Sequence, residues 1–184
     1  MTQSEFIDHS IRKVKQFIHE TEQLLNQSEE ALSYRPNEDK WNISEIYAHL
    51  NLYSDFYLKE FSKAASNPIV RSKELPLKKG MLGGYFASSM KLDESGTVKN
   101  PMKTFKSKET LGKSSGKADL TVFLDQHHEL LEILEKTRTV DLNRMKIKIT
   151  LPLIRIRLGD GIDFYISHEE RHMQQIQACK SALA

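Results

Sequence analysis

Apolar residues recur at three- and four-residue spacing in four separate stretches of the chain, a pattern that predicts four amphipathic helices. In the first stretch Phe6, Ile7, Ile11, Val14, Phe17, Ile18, Leu24 and Leu25 share a face, so a helix is expected from about Ser4 to about Ser33. Arg35-Pro36-Asn37-Glu38-Asp39-Lys40 then breaks it with a proline and polar residues. The second helix is expected to start at Asn42, a good N-cap, with Glu45 three residues on to complete a capping box. Its inward stripe is Ile43, Ile46, Tyr47, Leu50, Tyr53, Tyr57 and Phe61, and Pro68 ends it. Leu120, Phe123, Leu124, His127, Leu130, Leu131 and Leu134 mark a third helix from about Ala118 to Thr137. Gly159-Asp160-Gly161 reads as a turn into the last helix, Ile162 to about Ser181.

The stretches between these helices are less regular. Residues 66–117 lack sustained periodicity and hold six of the eight glycines, so a long connection is expected there. Within it, Met81-Leu82-Gly83-Gly84-Tyr85-Phe86 reads as a short helix or a packed loop. Met145 to Leu158 alternates basic and apolar residues around Pro152, the pattern of an extended segment, a short strand or a hairpin. The fold class that follows is all-α: a four-helix bundle of one domain, residues 1–184, with a long connection between its second and third helices.

Composition narrows the setting. A chain with 39% hydrophobic and 28% charged residues is ordinary for a soluble globular protein. No apolar run approaches the roughly 18 to 20 residues that span a bilayer. The polar start, Met1-Thr2-Gln3-Ser4-Glu5, does not read as a signal peptide, so a cytoplasmic location is expected. Cys179 is the single cysteine, which excludes an internal disulfide. The net charge of +2 hides an asymmetry: Val70 to Lys117 carries 11 Lys/Arg against 4 Asp/Glu. That stretch is either a solvated loop or a grip for an anionic ligand or partner, with Lys78 and Lys79 as candidates. Its few aromatics (Tyr85, Phe86, Phe105) and the absence of a recognisable motif argue against nucleic acid.

The chemistry concentrates in Ser167-His168-Glu169-Glu170-Arg171-His172. Residues four apart lie one above the other on a helix, so His168 and His172 can reach one point, and two neutral imidazoles make half of a first-row metal site. The run also spells H-E-x-x-H, the zinc-protease signature. A zincin needs a third protein ligand beyond it, yet only 12 residues follow His172, and Gln174, Gln175 and Gln177 are poor zinc ligands. A third ligand has to come from upstream. His49, on the inward side of the second helix, is the candidate, because each buried imidazole needs a partner and one metal ion would satisfy all three. His127 lies on the third helix's apolar stripe and reads first as a core residue. His128, His9 and His19 read as members of polar faces. Glu169 is the candidate general base toward a metal-bound water, or else a charge on the helix surface.

Trp41-Asn42-Ile43-Ser44-Glu45-Ile46-Tyr47-Ala48-His49-Leu50 resembles the start of the second helix in the DinB/YfiT-like superfamily, and Asp163 to Ile176 is similar to the same family's H-x-x-x-H helix. The resemblance covers nearly the whole chain. It implies an up-down-down-up four-helix bundle, often dimeric, whose three histidines, here His49, His168 and His172, bind a divalent ion such as nickel or zinc. Relatives include thiol S-transferases using bacillithiol or mycothiol, maleylpyruvate isomerases using a thiol cofactor, and hydrolases. The expected function is therefore metal-dependent thiol S-transfer or hydrolysis on a small-molecule substrate, with a low-molecular-weight thiol as possible co-substrate and a homodimer as assembly. The competing expectation is a non-catalytic, dimeric helical bundle that binds a ligand or partner.

Overall fold

The structure is a computed structural model, and residues 1–35, 37–93 and 108–182 are described. The N-terminal helix α1 spans Gln3–Leu24. A capping box opens it: Thr2 Oγ1 accepts from the Glu5 N–H (3.2 Å), and the Glu5 carboxylate accepts from the Thr2 N–H (2.7 Å). It stops nine residues short of the expected Ser33. Ser28 has extended backbone and caps a separate short helix, α2 (Glu29–Ser33), by accepting from the Ala31 N–H. Leu32 of α2 is fully buried, which is why the apolar stripe reads on through the break.

Helix α3 (Ile43–Ser66) begins as expected, with Asn42 and Glu45 exchanging side chain–backbone hydrogen bonds of 2.8 and 2.9 Å. A further helix, α4 (Met81–Met90), stands inside what reads in sequence as connection. Helix α5 covers Lys117–Lys136 and runs into a 3-10 turn, Thr137–Thr139. Strands β1 (Lys146–Lys148) and β2 (Arg155–Arg157) form an antiparallel hairpin with Ile147 opposite Ile156. Helix α6 (Leu158–Ser181) follows directly. The basic stretch is only partly described: residues 94–107, Phe105 among them, lie outside.

Among the described residues the chain is mostly helical. Helices α1 and α3 each pack against both α5 and α6. Tyr47, Tyr57, Phe61, Phe123 and Tyr165 are the bulkiest fully buried side chains of the shared core. Burying such stripes, rather than intrinsic propensity, is what holds helices of this length.

The start of α6 differs from its sequence reading. Gly159-Asp160-Gly161 is not a turn before the helix but its first turn. Glycine is a poor helix former, and crowding explains it here: a Cβ on Gly161 would sit 2.3 Å from Ile147 of the hairpin, and one on Gly159 2.8 Å from Leu77. Helix α4 docks on the same turn. The Gly80 N–H donates to the Asp160 carboxylate at 3.0 Å, and a Cβ on Gly83 would fall 2.5 Å from that carboxylate. Close approach thus seats α4 and the hairpin at the N-terminal end of α6.

Candidate metal centre

His49 comes from α3, and His168 and His172 come from α6, one helical turn apart. All three are buried, at 2%, 6% and 6% exposure. One ligand nitrogen from each falls within 4.8 Å of the others. The two α6 Nε2 atoms are 3.2 Å apart. Two nitrogens bound to one tetrahedral ion at ~2.0–2.1 Å lie about 3.3 Å apart, so the pair already has the required spacing.

The outer nitrogens set the tautomers. A carbonyl can only accept, so His49 Nδ1–H donates to the Lys108 carbonyl at 2.8 Å and its Nε2 is left with a lone pair. His172 Nδ1–H donates to Gln175 Oε1, also at 2.8 Å, with the same result. Held outer N–H groups are the usual means of orienting metal-bound histidines. Burial, reinforced by the neighbouring imidazoles, drops the pKa of His172 to about 3 and that of His168 well below its usual value. Burial also takes His49 down to about 4. At neutral pH the cluster is therefore three uncharged donors, the form a cation needs.

Trp41 packs against this group, its ring 4.6 Å from that of His49 and 6.1 Å from that of His172. Its indole N–H donates to Glu109 at 2.7 Å. Tyr53 covers the other side, 4.4 Å from His168. Residues 108–112 strap onto α3: the Thr110 hydroxyl donates to the Glu45 carbonyl, and the Gly112 N–H to the Glu45 carboxylate. The strap is what delivers the Lys108 carbonyl to His49.

The histidines border a cavity of about 650 Å³. Its other walls come from Trp41, from α4 (Phe86, Met90), from the hairpin (Ile149, Leu151, Ile156) and from the α6 face carrying Phe164, Arg171 and Cys179. The Cys179 thiol is buried, which raises its pKa and keeps it protonated.

Glu169 does not join this group. It is fully buried on another face of α6, where one carboxylate oxygen lies 3.5 Å from His127 Nε2 of α5. It is absent from the cavity walls. His127, itself fully buried, donates through Nδ1 to the Phe123 carbonyl and stacks on the Phe123 ring at 3.6 Å. The expected roles of Lys78 and Lys79 also lack support, since neither lines the cavity and Lys79 pairs with Asp163 at 3.3 Å. The sequence reading missed the Lys108 carbonyl, which lies in a stretch with no pattern to flag it. It also gave Gln175 no role, although the three-residue step from His172 is a helical contact distance.

A mostly helical chain with a buried three-histidine cluster beside a cavity is arranged so that it could hold a metal ion. The chain belongs to the DinB superfamily, whose family model matches residues 14–176. No curated protein and no solved structure gives a match.

Proposed function

We propose that this protein is a metal-dependent enzyme that holds a divalent ion, nickel or zinc, on His49, His168 and His172, and carries out thiol S-transfer or hydrolysis on a small molecule. The observation that carries this reading is the convergence of three neutral imidazoles, two of them held by their outer N–H groups, on the wall of a cavity. In this reading the four long helices form the family's up-down-down-up bundle as one domain, and two copies associate as a homodimer. Such an ion would supply Lewis acidity, favouring the deprotonated form of a thiol or water brought to it.

The protein's own groups do the rest. The Lys108 carbonyl and Gln175 keep the ligand nitrogens of His49 and His172 aimed. Trp41 and Tyr53 shield the imidazoles on two sides and limit water. Glu169, off the cavity wall and with one carboxylate oxygen 3.5 Å from His127 Nε2, is assigned no step in this reading.

The test is to assay wild type and His172→Ala, each loaded with nickel or zinc, for coupling of low-molecular-weight thiols to an aryl halide and for ester hydrolysis. Activity in wild type that vanishes in the variant and on chelation is the expected outcome. Equal rates in all samples would remove the enzyme reading and leave a ligand-binding bundle.

A further inference from the structure

The β1–β2 hairpin carries a charge pattern that its own pairing does not explain. Lys146 stands opposite Arg157, and Lys148 opposite Arg155. Like charges directly across an antiparallel pair destabilise it. Ile147 and Ile156 alternate with them and are buried, so the four cations share the outward face. Arg157 is engaged, donating to the Lys78 carbonyl at 2.9 Å. Lys146, Lys148 and Arg155 line a surface groove of about 240 Å³ together with Lys63 of α3, and the one carboxylate on its lining is Glu60. That carboxylate already pairs with Lys63 at 2.9 Å and accepts from the Lys148 N–H at 3.0 Å. The groove therefore holds more cations than it can satisfy from its own residues.

Beyond this collar the tip is uncharged. Ile149-Thr150-Leu151-Pro152-Leu153-Ile154 closes the hairpin, with Thr150 its one polar side chain. Turns that face water usually use Gly, Asn, Asp or Ser. Here Pro152 is exposed and Leu153 is fully exposed. Leu153 is also the one non-glycine among the described residues with a positive φ, 64°, a conformation that favours glycine or asparagine. A leucine at this point costs backbone energy and gains no burial within the chain.

We propose that the hairpin docks on an anionic lipid bilayer, with Pro152 and Leu153 entering the acyl boundary and Lys63, Lys146, Lys148 and Arg155 meeting lipid phosphates. An apolar point inside a cationic collar matches a surface with negative headgroups over an apolar interior. A soluble polyanion would use the collar and leave Leu153 in water. A second copy docked face to face would set cations against cations. The contact is with the bilayer surface, since no helix among the described residues is long and apolar enough to cross a membrane. Ile149 and Leu151 of the same tip wall the cavity, so docking brings the cavity to the lipid. This inference goes beyond the metal chemistry and does not depend on it.

Flotation of the full chain with vesicles of phosphatidylcholine alone, and of phosphatidylcholine mixed with phosphatidylglycerol, tests it. The chain should float with the mixed vesicles only, and less at high salt than at low. Lys146→Gln/Arg155→Gln takes one cation from each opposed pair. It should weaken binding about 25-fold, at about fivefold per cation, without lowering the melting temperature. Leu153→Asn should weaken binding about tenfold and keep or raise the melting temperature, because asparagine tolerates positive φ. Equal flotation with both lipid mixtures, flotation with neither, or flotation that Leu153→Asn leaves unchanged would overturn the proposal. A single-stranded oligonucleotide bound as tightly as the mixed vesicles, by wild type and Leu153→Asn alike, would overturn it in favour of a soluble polyanion. Oligomers that Leu153→Asn dissociates in gel filtration, with no vesicle binding, would overturn it in favour of a second copy.

Discussion

Helix α6 carries two buried polar clusters on different faces, and they differ in what lies beyond them. His168 and His172 meet His49 at the edge of a cavity, whereas Glu169 meets His127 inside the packed core. In the first cluster the outer ring nitrogens of His49 and His172 are tied down, and the Nε2 atoms of His168 and His172 lie 3.2 Å apart, a spacing that suits a shared cation. The second, His127 with Glu169, does not line that cavity. A carboxylate and an imidazole 3.5 Å apart are enclosed there by Phe123, Tyr47 and Tyr165, and the Glu169 charge adds to the burial that raises the pKa of both tyrosines. Burial alone therefore does not mark a site. Convergence of donors beside open space does.

Emptying each cluster in turn is the strongest way to break this contrast. His168→Ala/His172→Ala should abolish metal binding, an effect well beyond the roughly 10–100-fold that loss of an outer-shell partner costs, while the metal-free melting temperature changes little. Elemental analysis and a thermal melt read both. Glu169→Ala should do the opposite. It leaves metal content intact but lowers stability by about 2–4 kcal/mol in a urea titration, because removing a fully buried side chain opens a cavity beside His127.

Acidification sharpens the same distinction. His49 and His172 have folded-state pKa values of about 4 and about 3, depressed below the ordinary value of 6.5. The unfolded chain then binds more protons than the folded chain as the pH drops. Stability of the metal-free protein should be complete above pH 6.5 and fall progressively from there toward pH 4 and pH 3, by up to about 1.4 kcal/mol per pH unit for each imidazole. A His49→Ala/His172→Ala protein should lose the share of the slope that these two imidazoles contribute and keep that of His168, read in urea titrations at stepped pH. The smallest change is expected from Gln175→Ala, which frees His172 to rotate. Metal affinity should weaken about 10–100-fold, with no shift in the melting temperature of the metal-free chain, since Gln175 is exposed.

Much of this was legible in sequence where the signal is local. The Asn42–Glu45 capping box fixes the register of α3 and with it the inward placement of His49. The four-residue step between His168 and His172 needs only a helix. What was not legible depends on partners far along the chain. Gly159 and Gly161 look like a turn until Leu77 and Ile147 are seen to pack closely against the first turn of α6 at those points. The break after Leu24 is hidden because Leu32 keeps the apolar stripe in step. Helix α4 shows no clean periodicity, since Met90 faces the core while Met81 and Tyr85 face solvent. Glu169 fits a protease spelling whose usual geometry it does not share: it lies off the cavity wall, 3.5 Å from His127 of α5. The apolar wall of the cavity comes from segments that only tertiary packing brings to the histidines.

The most direct test is elemental analysis of untagged wild type beside His49→Ala, both purified without added chelator. Three imidazoles sharing one ion predict about one nickel or zinc per wild-type chain and none in the variant, although His168 and His172 remain. Wild type that stays empty even after soaking in either metal, or His49→Ala that retains a full complement, would contradict the three-histidine centre.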